Sequence, residues 1–406
     1  MIAEVGPSKE EPLKRPKWEV SDIIRLHAKQ YCHDHALPLS HLKVMHCIKV
    51  CRTAYLGGHV EQCNSCGFEK HAYNSCRNRH CPKCQALTKA KWLEDRKSEL
   101  LPVGYFHTVF TIPHELNPIA LRNKKTVYKI LFKAASDTLM EFGKNNLGGQ
   151  LGFLAILHTW DQKLMDHFHL HCVVAGGALS YEKNRWIAAR GNFLFSVKAL
   201  SVVFRAKFTQ YLIKAFLKGE LIFPGNISML ADEKEFLLFV KGVKQKGWVV
   251  YCKKPFAGPQ QVLDYIGRYT HRVAISNQRI VNVANGNVTF TYRDRRKNNT
   301  LKTMTLKAQE FIRRFLLHVL PDGFMRIRHF GFLANRYKKE NIQKCREIIG
   351  YSQQVPETTE KHYQQRVLEL TGVDITLCPC CKKGSMVVTQ EILPQFKDKP
   401  QYMDSS

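Results

Sequence analysis

Acidic side chains are scarce in this chain. Only 34 Asp and Glu stand against 62 Lys and Arg over 406 residues, a formal charge of +28. An excess that large argues for a polyanionic partner, with nucleic acid the commonest, over a protein that merely uses charge for solubility or for attraction to anionic membranes. Long apolar runs are missing too. None approaches the ~18–20 residues that a membrane-spanning helix needs. The opening MIAEVGPSKEEPLKRPKWEV has no apolar signal core, so export is not expected and a cytoplasmic, nucleoid-associated location is. Internal repeats and low-complexity tracts are absent as well. What remains is 44% hydrophobic, the composition of a folded globular protein, and long enough for ~2–3 domains.

Fourteen cysteines in a chain with no export signal are better explained by metal than by disulfides. They concentrate in CRTAYLGGHVEQCNSCGFEKHAYNSCRNRHCPKCQ, residues 51–85, where Cys63-x-x-Cys66 and Cys81-x-x-Cys84 form two knuckles. Each knuckle can hold two sulfurs near one ion, and tetrahedral zinc needs four. The spacing therefore predicts a zinc-ribbon or treble-clef module on Cys63, Cys66, Cys81 and Cys84. A redox dithiol would need only one pair. Cys76, His80, His71 and His59 are left over; they could complete a second site, replace one of the four, or only hydrogen-bond. The tail adds Cys378-Pro379-Cys380-Cys381, half a metal site.

The stretch Asp166-His167-Phe168-His169-Leu170-His171-Cys172-Val173-Val174 alternates histidine with apolar residues and ends at Gly176-Gly177. Side chains two apart share a face of a strand, so His167, His169 and His171 line one side. Phe168, Leu170, Cys172 and Val174 line the other, ready to pack on helices. Imidazoles at that spacing suit a divalent cation, whereas the plain alternative is rings that bond only to their neighbours. Residues 105–113 and 152–159 read as further strands, and 121–142 and 197–217 as helices. Later, 272–276, 280–283 and 288–292 read as short strands, the last two joined by the turn Ala284-Asn285-Gly286-Asn287. The mixture predicts an α+β fold with a largely antiparallel sheet.

A helix over 260–269 would place Tyr265 and Tyr269, four apart, on one face. Tyrosines at that spacing commonly pack a core edge. A phenol can also attack a phosphodiester and form a covalent phosphotyrosine, with a cation polarising a phosphoryl oxygen. Arg268 and Arg272 sit beside them, and Arg295 and Arg296 lie in a basic loop, all suited to phosphate contacts.

The His169-Leu170-His171 strand resembles the His-hydrophobic-His motif of the HUH single-strand endonucleases. CRNRHCPKCQ at 76–85, YFHTVFTIPHEL at 105–116, HTWDQKLMDHFHLHCVVAGG at 158–177, YIGRYTHRVAIS at 265–276 and RIRHFGFLANR at 326–336 together are similar to the Insertion Sequence 91 family of rolling-circle transposases. That resemblance implies an N-terminal zinc domain followed by an endonuclease on a central antiparallel sheet flanked by helices. It implies His169 and His171 as ligands of a catalytic Mg²⁺ or Mn²⁺, with Gln162 as the third donor, His167 the second choice and His158 on the adjacent strand. It makes Tyr265 and Tyr269 the nucleophiles, cutting single-stranded DNA at element ends and target to leave a 5′-phosphotyrosine and a 3′-hydroxyl. The family's C-terminal cysteine pair is matched by Cys378 and Cys381. The expected organisation is a helical lead-in over 1–50, a zinc domain over 51–100, the nuclease over 101–300, and a basic helical C-terminal region with a loose tail over 301–406. Two other readings stand beside it: a plasmid or phage replication initiator or relaxase, and a zinc-ribbon DNA-binding regulator without catalysis.

Overall fold

Period-two alternation of apolar and polar side chains produces the strands, and in chain order they are β1 (Gly58–Cys63), β2 (Glu69–Tyr73), β3 (Tyr105–Thr111), β4 (Gly149–Trp160), β5 (Asp166–Ser180), β6 (Trp186–Ala188), β7 (Val250–Phe256), β8 (Ile280–Ala284), β9 (Asn287–Asp294), β10 (Thr300–Lys307), β11 (Ile327–Gly331) and β12 (Met386–Ile392). The computed structural model describes residues 16–256, 261–262, 267, 273–294, 297–351 and 362–395. Its strands form three antiparallel sheets, β12-β1-β2, β10-β9-β8 and β11-β4-β5-β3-β7, with β6 added on β5. The chain divides into two compact units that do not follow linear boundaries. One gathers Met1–Trp92, Val273–Leu316 and Thr358–Ser406; the other gathers Leu93–Arg272 and Leu317–Glu357.

In the second unit the long hairpin β4–β5 is the centre of the sheet. Register decides what each face carries. Leu170 is opposite Leu157 and Phe110, and Cys172 is opposite Ala155 and Thr108, so this face is apolar. It buries Phe110, Phe153, Leu157, Phe168 and Leu170 against the helices Lys124–Phe142 and Val197–Leu217, through Leu131, Leu139, Phe204 and Phe208. Each such side chain removed from water contributes roughly 1.5–3 kcal/mol, which makes this the dominant core. On the other face His169 is opposite His158 and Thr111, and His171 is opposite Ile156 and Val109.

Strand β11 joins the sheet edge through a tight approach. Gly331 lies in the left-handed region at φ 62°, and a Cβ there would overlap the Leu151 carbonyl oxygen, which accepts the Phe332 amide at 3.1 Å. The Phe332 ring in turn lies against Gly152, which has no side chain to displace it. The pair explains why a Gly-Phe step follows the basic Arg326-Ile327-Arg328-His329 segment: only a bare backbone fits there.

The first unit opens with the helices Val20–Asp34 and Leu39–Val50. Glu19 and Asp22 cap the first reciprocally, and Val20, Ile23 and Ile24 face inward. Asn277 accepts the Val20 amide at 3.1 Å. In the β8–β9 hairpin Asn285 (φ 50°) and Gly286 (φ 72°) both take the left-handed conformation of a two-residue turn; Val288 and Phe290 are buried, and Phe290 packs on Phe311 of the helix Ala308–Leu317. The strand expected over 272–276 does not form where it is described: residues 273–276 are irregular and lead into the short 3₁₀ turn Asn277–Arg279. Residues 305–307 end β10, and the helix Ala308–Leu317 follows directly.

Candidate metal centres

Among the described residues three groups of convergent donor atoms stand out. In each, the candidate ligand atoms lie within 4.8 Å of one another: Cys51, Cys76, Cys81 and Cys84; Cys63, Cys66, Cys378 and Cys381; and His158, His169 and His171.

The two cysteine knuckles read from the sequence are thus assigned to different clusters. Cys81 and Cys84 frame the start of the helix Pro82–Lys97, where proline suits a position that needs no amide donor. Cys51 follows the end of Leu39–Val50, and Cys76 comes from the loop after β2. The Cys84 sulfur is 3.6 Å from those of Cys51 and Cys76. A tetrahedron with Zn–S bonds of about 2.3 Å has edges of about 3.8 Å, so the spacing fits shared coordination and no disulfide. The thiols of Cys84 and Cys51 are held below the usual thiol range by hydrogen bonds from their neighbours, Cys51 first for Cys84 and Cys76 first for Cys51. Those of Cys76 and Cys81 are pushed up, first by Cys51 and also by burial. Four thiolates cannot share this buried space without a cation. His80 is outside the cluster, its amide bound to the Asn78 side chain. Sequence reasoning missed Cys51; the missing clue is that Cys63-x-x-Cys66 is followed by Gly67 in a turn, whereas Cys81-x-x-Cys84 runs into a helix.

The histidine group sits in the second unit, on the polar face of β4 and β5. His158, His169 and His171 are all less than 9% exposed. His169 Nδ1 lies 2.8 Å from the His167 carbonyl, which can only accept, so that nitrogen carries the proton and Nε2 points onward. His169 Nε2 is 3.0 Å from His171 Nε2. On its far side His171 Nδ1 is 2.9 Å from His107 Nε2, with the two rings nearly parallel. Burial first, and then Lys253, push His107 down to about 3, so it is neutral and can accept. That bond sets the His171 tautomer as the His167 carbonyl sets that of His169. Two imidazole nitrogens 3.0 Å apart match ligands at right angles about 2.1 Å from one ion. The donor set therefore fits a divalent cation. His158 closes the group from the next strand, stacked on Trp160 at 5.1 Å and edge-on to both other rings. Thr159 beside it donates to His318 Nδ1 at 3.3 Å, and His318 Nε2 donates to the Leu164 carbonyl.

His167 is exposed and outside the group; its contribution is its carbonyl. Gln162 lies in the turn joining β4 and β5. Tyr265, Arg268, Tyr269, Arg272, Arg295 and Arg296 lie outside the described residues. Among the described residues no helix is long and apolar enough to cross a membrane.

A cysteine-rich metal-binding unit and a histidine-bearing antiparallel sheet in one strongly basic chain suit the class of proteins that handle nucleic acid. Family comparison gives the particulars. Residues 23–112 match a model described as a transposase zinc-binding domain, and residues 152–341 match one described as a putative transposase. The chain is 47% identical over 393 residues to a protein of Sinorhizobium fredii named putative transposase y4qJ, covering 96% of this chain and 98% of that one. It is 28% identical over 349 residues, 84% of this chain and 82% of the other, to the transposase for insertion sequence element IS801 of Pseudomonas savastanoi pv. phaseolicola. No solved structure matches. The chain belongs to the Insertion Sequence 91 family of transposases and carries its zinc-binding domain.

Proposed function

We propose that the chain moves its element by rolling-circle strand transfer, cutting single-stranded DNA through a covalent phosphotyrosine. The observation that carries this reading is the convergence of His158, His169 and His171 on the polar face of the β4–β5 hairpin. A divalent cation held by them would act as a Lewis acid on a non-bridging phosphoryl oxygen and orient the phosphate. Three imidazoles suit Mn²⁺ better than Mg²⁺, which prefers oxygen. The His167 carbonyl and His107 keep the rings of His169 and His171 oriented, so little reorganisation accompanies binding.

The nucleophile is the phenol of Tyr265 or Tyr269. Its oxygen bonds to phosphorus as the bond to the 3′ oxygen breaks; the phenolic proton is lost and the departing 3′ oxygen gains one. The reverse step, with another strand's 3′-hydroxyl attacking, releases the tyrosine and joins the strands, so two phenols allow two ends to be held at once. Arg268, Arg272, Arg295 and Arg296 bind the DNA backbone, which makes affinity fall steeply with salt. Zinc on Cys51, Cys76, Cys81 and Cys84 holds the N-terminal unit in shape.

Labelled single-stranded oligonucleotides bearing the element's ends, incubated with Mn²⁺ or Mg²⁺ and run on a denaturing gel, test the reading. A covalent protein–DNA band is expected, lost or greatly reduced in Tyr265→Phe or Tyr269→Phe. Tight binding with no covalent band on either end would overturn it in favour of a non-catalytic binder.

A further inference from the structure

The zinc-binding domain model covers residues 23–112, yet the second thiol cluster draws half its donors from far beyond it. Cys63 and Cys381 sulfurs lie 3.7 Å apart, and Cys66 and Cys378 sulfurs 3.6 Å apart, across more than 300 residues of chain. The spacing again matches the ~3.8 Å edge of a zinc–thiolate tetrahedron.

The two halves are built alike. In the first, Gly67 donates to the Cys63 carbonyl at 3.1 Å and Cys63 donates to Phe68 at 2.9 Å. In the second, Lys382 donates to the Cys378 carbonyl at 3.1 Å and Cys378 donates to Gly384 at 2.8 Å. Gly67 and Lys382 hold the same left-handed position, at φ 70° and 59°. Backbone amides point at the sulfurs in both: those of Ser65 and Cys66 at Cys63, and those of Cys380 and Gly384 at Cys378 and Cys381. Lysine in a left-handed turn is uncommon, and its use there indicates that the turn shape is required.

The knuckles are also fitted to each other. Gly384 sits so close to the Cys63 sulfur that a Cβ would collide with it. Asn64 and Ser385 exchange two hydrogen bonds, at 3.1 and 2.9 Å. Strands β1 and β12 then run on from the two knuckles as antiparallel neighbours, Cys63 opposite Met386 and Gly58 opposite Ile392.

We infer that Cys63, Cys66, Cys378 and Cys381 bind a second zinc ion, which staples the C-terminal segment onto the N-terminal unit as the third strand of its sheet. The zinc domain is then discontinuous: its second site is complete only after the whole chain, nuclease included, has been made. A product truncated before Cys378 would leave Cys63 and Cys66 with half a site. The two ions differ in access. Cys51, Cys81 and Cys84 are buried and Cys76 is 9% exposed, whereas Cys66 is exposed and Cys381 half-buried, so the second ion exchanges faster.

Zinc content of the purified full-length protein tests this. Two ions per chain are expected, falling to one in Cys378→Ser/Cys381→Ser and to one in Cys63→Ser/Cys66→Ser. Combining the two doubles should still leave one, because both pairs serve the same ion. With a chelator in excess, wild-type zinc should leave in two phases of equal size, the faster missing in each double variant. One ion in the wild type, or two remaining in either double, overturns the inference. Should the doubles misfold and lose all metal, the cobalt-substituted wild type decides. Thiolate-to-cobalt absorption corresponding to eight Co–S bonds over two ions supports the staple, and four bonds over one ion refutes it.

Discussion

His169→Ala is expected to lower the rate of strand cleavage by about 10³-fold or more, on the order of 4 kcal/mol in the barrier, while zinc content stays unchanged. The reason lies in how the ring is held. Its Nδ1 proton is committed to the His167 carbonyl, and its Nε2 is placed 3.0 Å from that of His171. Removing the ring takes away a donor fixed in advance and leaves His158 and His171 unable to enclose a cation alone. Because this group lies in the second unit and the thiol clusters in the first, the loss should be separable from folding. Single-turnover cleavage of an end oligonucleotide, with metal analysis of the same preparation, checks it. Residual cleavage within tenfold of wild type would mean that the histidines are structural.

Cys84→Ser has the second largest expected effect, on folding. The Cys84 sulfur lies 3.6 Å from those of both Cys51 and Cys76, and its ring of thiols is buried. A structural zinc contributes on the order of 10 kcal/mol to a small domain, comparable with the whole stability of one. The variant should lose one zinc per chain and become sensitive to limited proteolysis between residues 18 and 92. Retention of the full zinc content would show that Cys84 is not a ligand.

The histidine strand was legible because strict alternation of His with Phe, Leu and Cys has only one good solution, a strand with one face on a helical core. Helical periodicity made the helices over 121–142 and 197–217 legible in the same way, and Asn285-Gly286 between two apolar runs marked the turn. What the sequence did not reveal was register. His158 meets His169 only because β4 and β5 pair at that offset, which depends on the five-residue turn over 161–165 and an irregularity between His158 and Trp160. Local spacing also misled over the cysteines. Cys63-Cys66 and Cys81-Cys84 are neighbours in the chain, yet each finds its partners elsewhere, Cys81-Cys84 in Cys51 and Cys76 and Cys63-Cys66 in Cys378 and Cys381, more than 300 residues on. Contacts of such long sequence separation leave no periodicity to read. Gly384 and the positive φ of Lys382 are intelligible only once the knuckles are seen face to face.

The central claim is that one divalent cation is gripped by His158, His169 and His171. Electron paramagnetic resonance of Mn²⁺ titrated into the zinc-loaded protein tests it most directly, since nitrogen couplings report the number of bound imidazoles. One Mn²⁺ per chain with three such couplings is expected, with affinity reduced at least about tenfold in His158→Ala and little changed in Gln162→Ala. Binding without nitrogen coupling, or affinity lost in Gln162→Ala but kept in His158→Ala, would contradict the account.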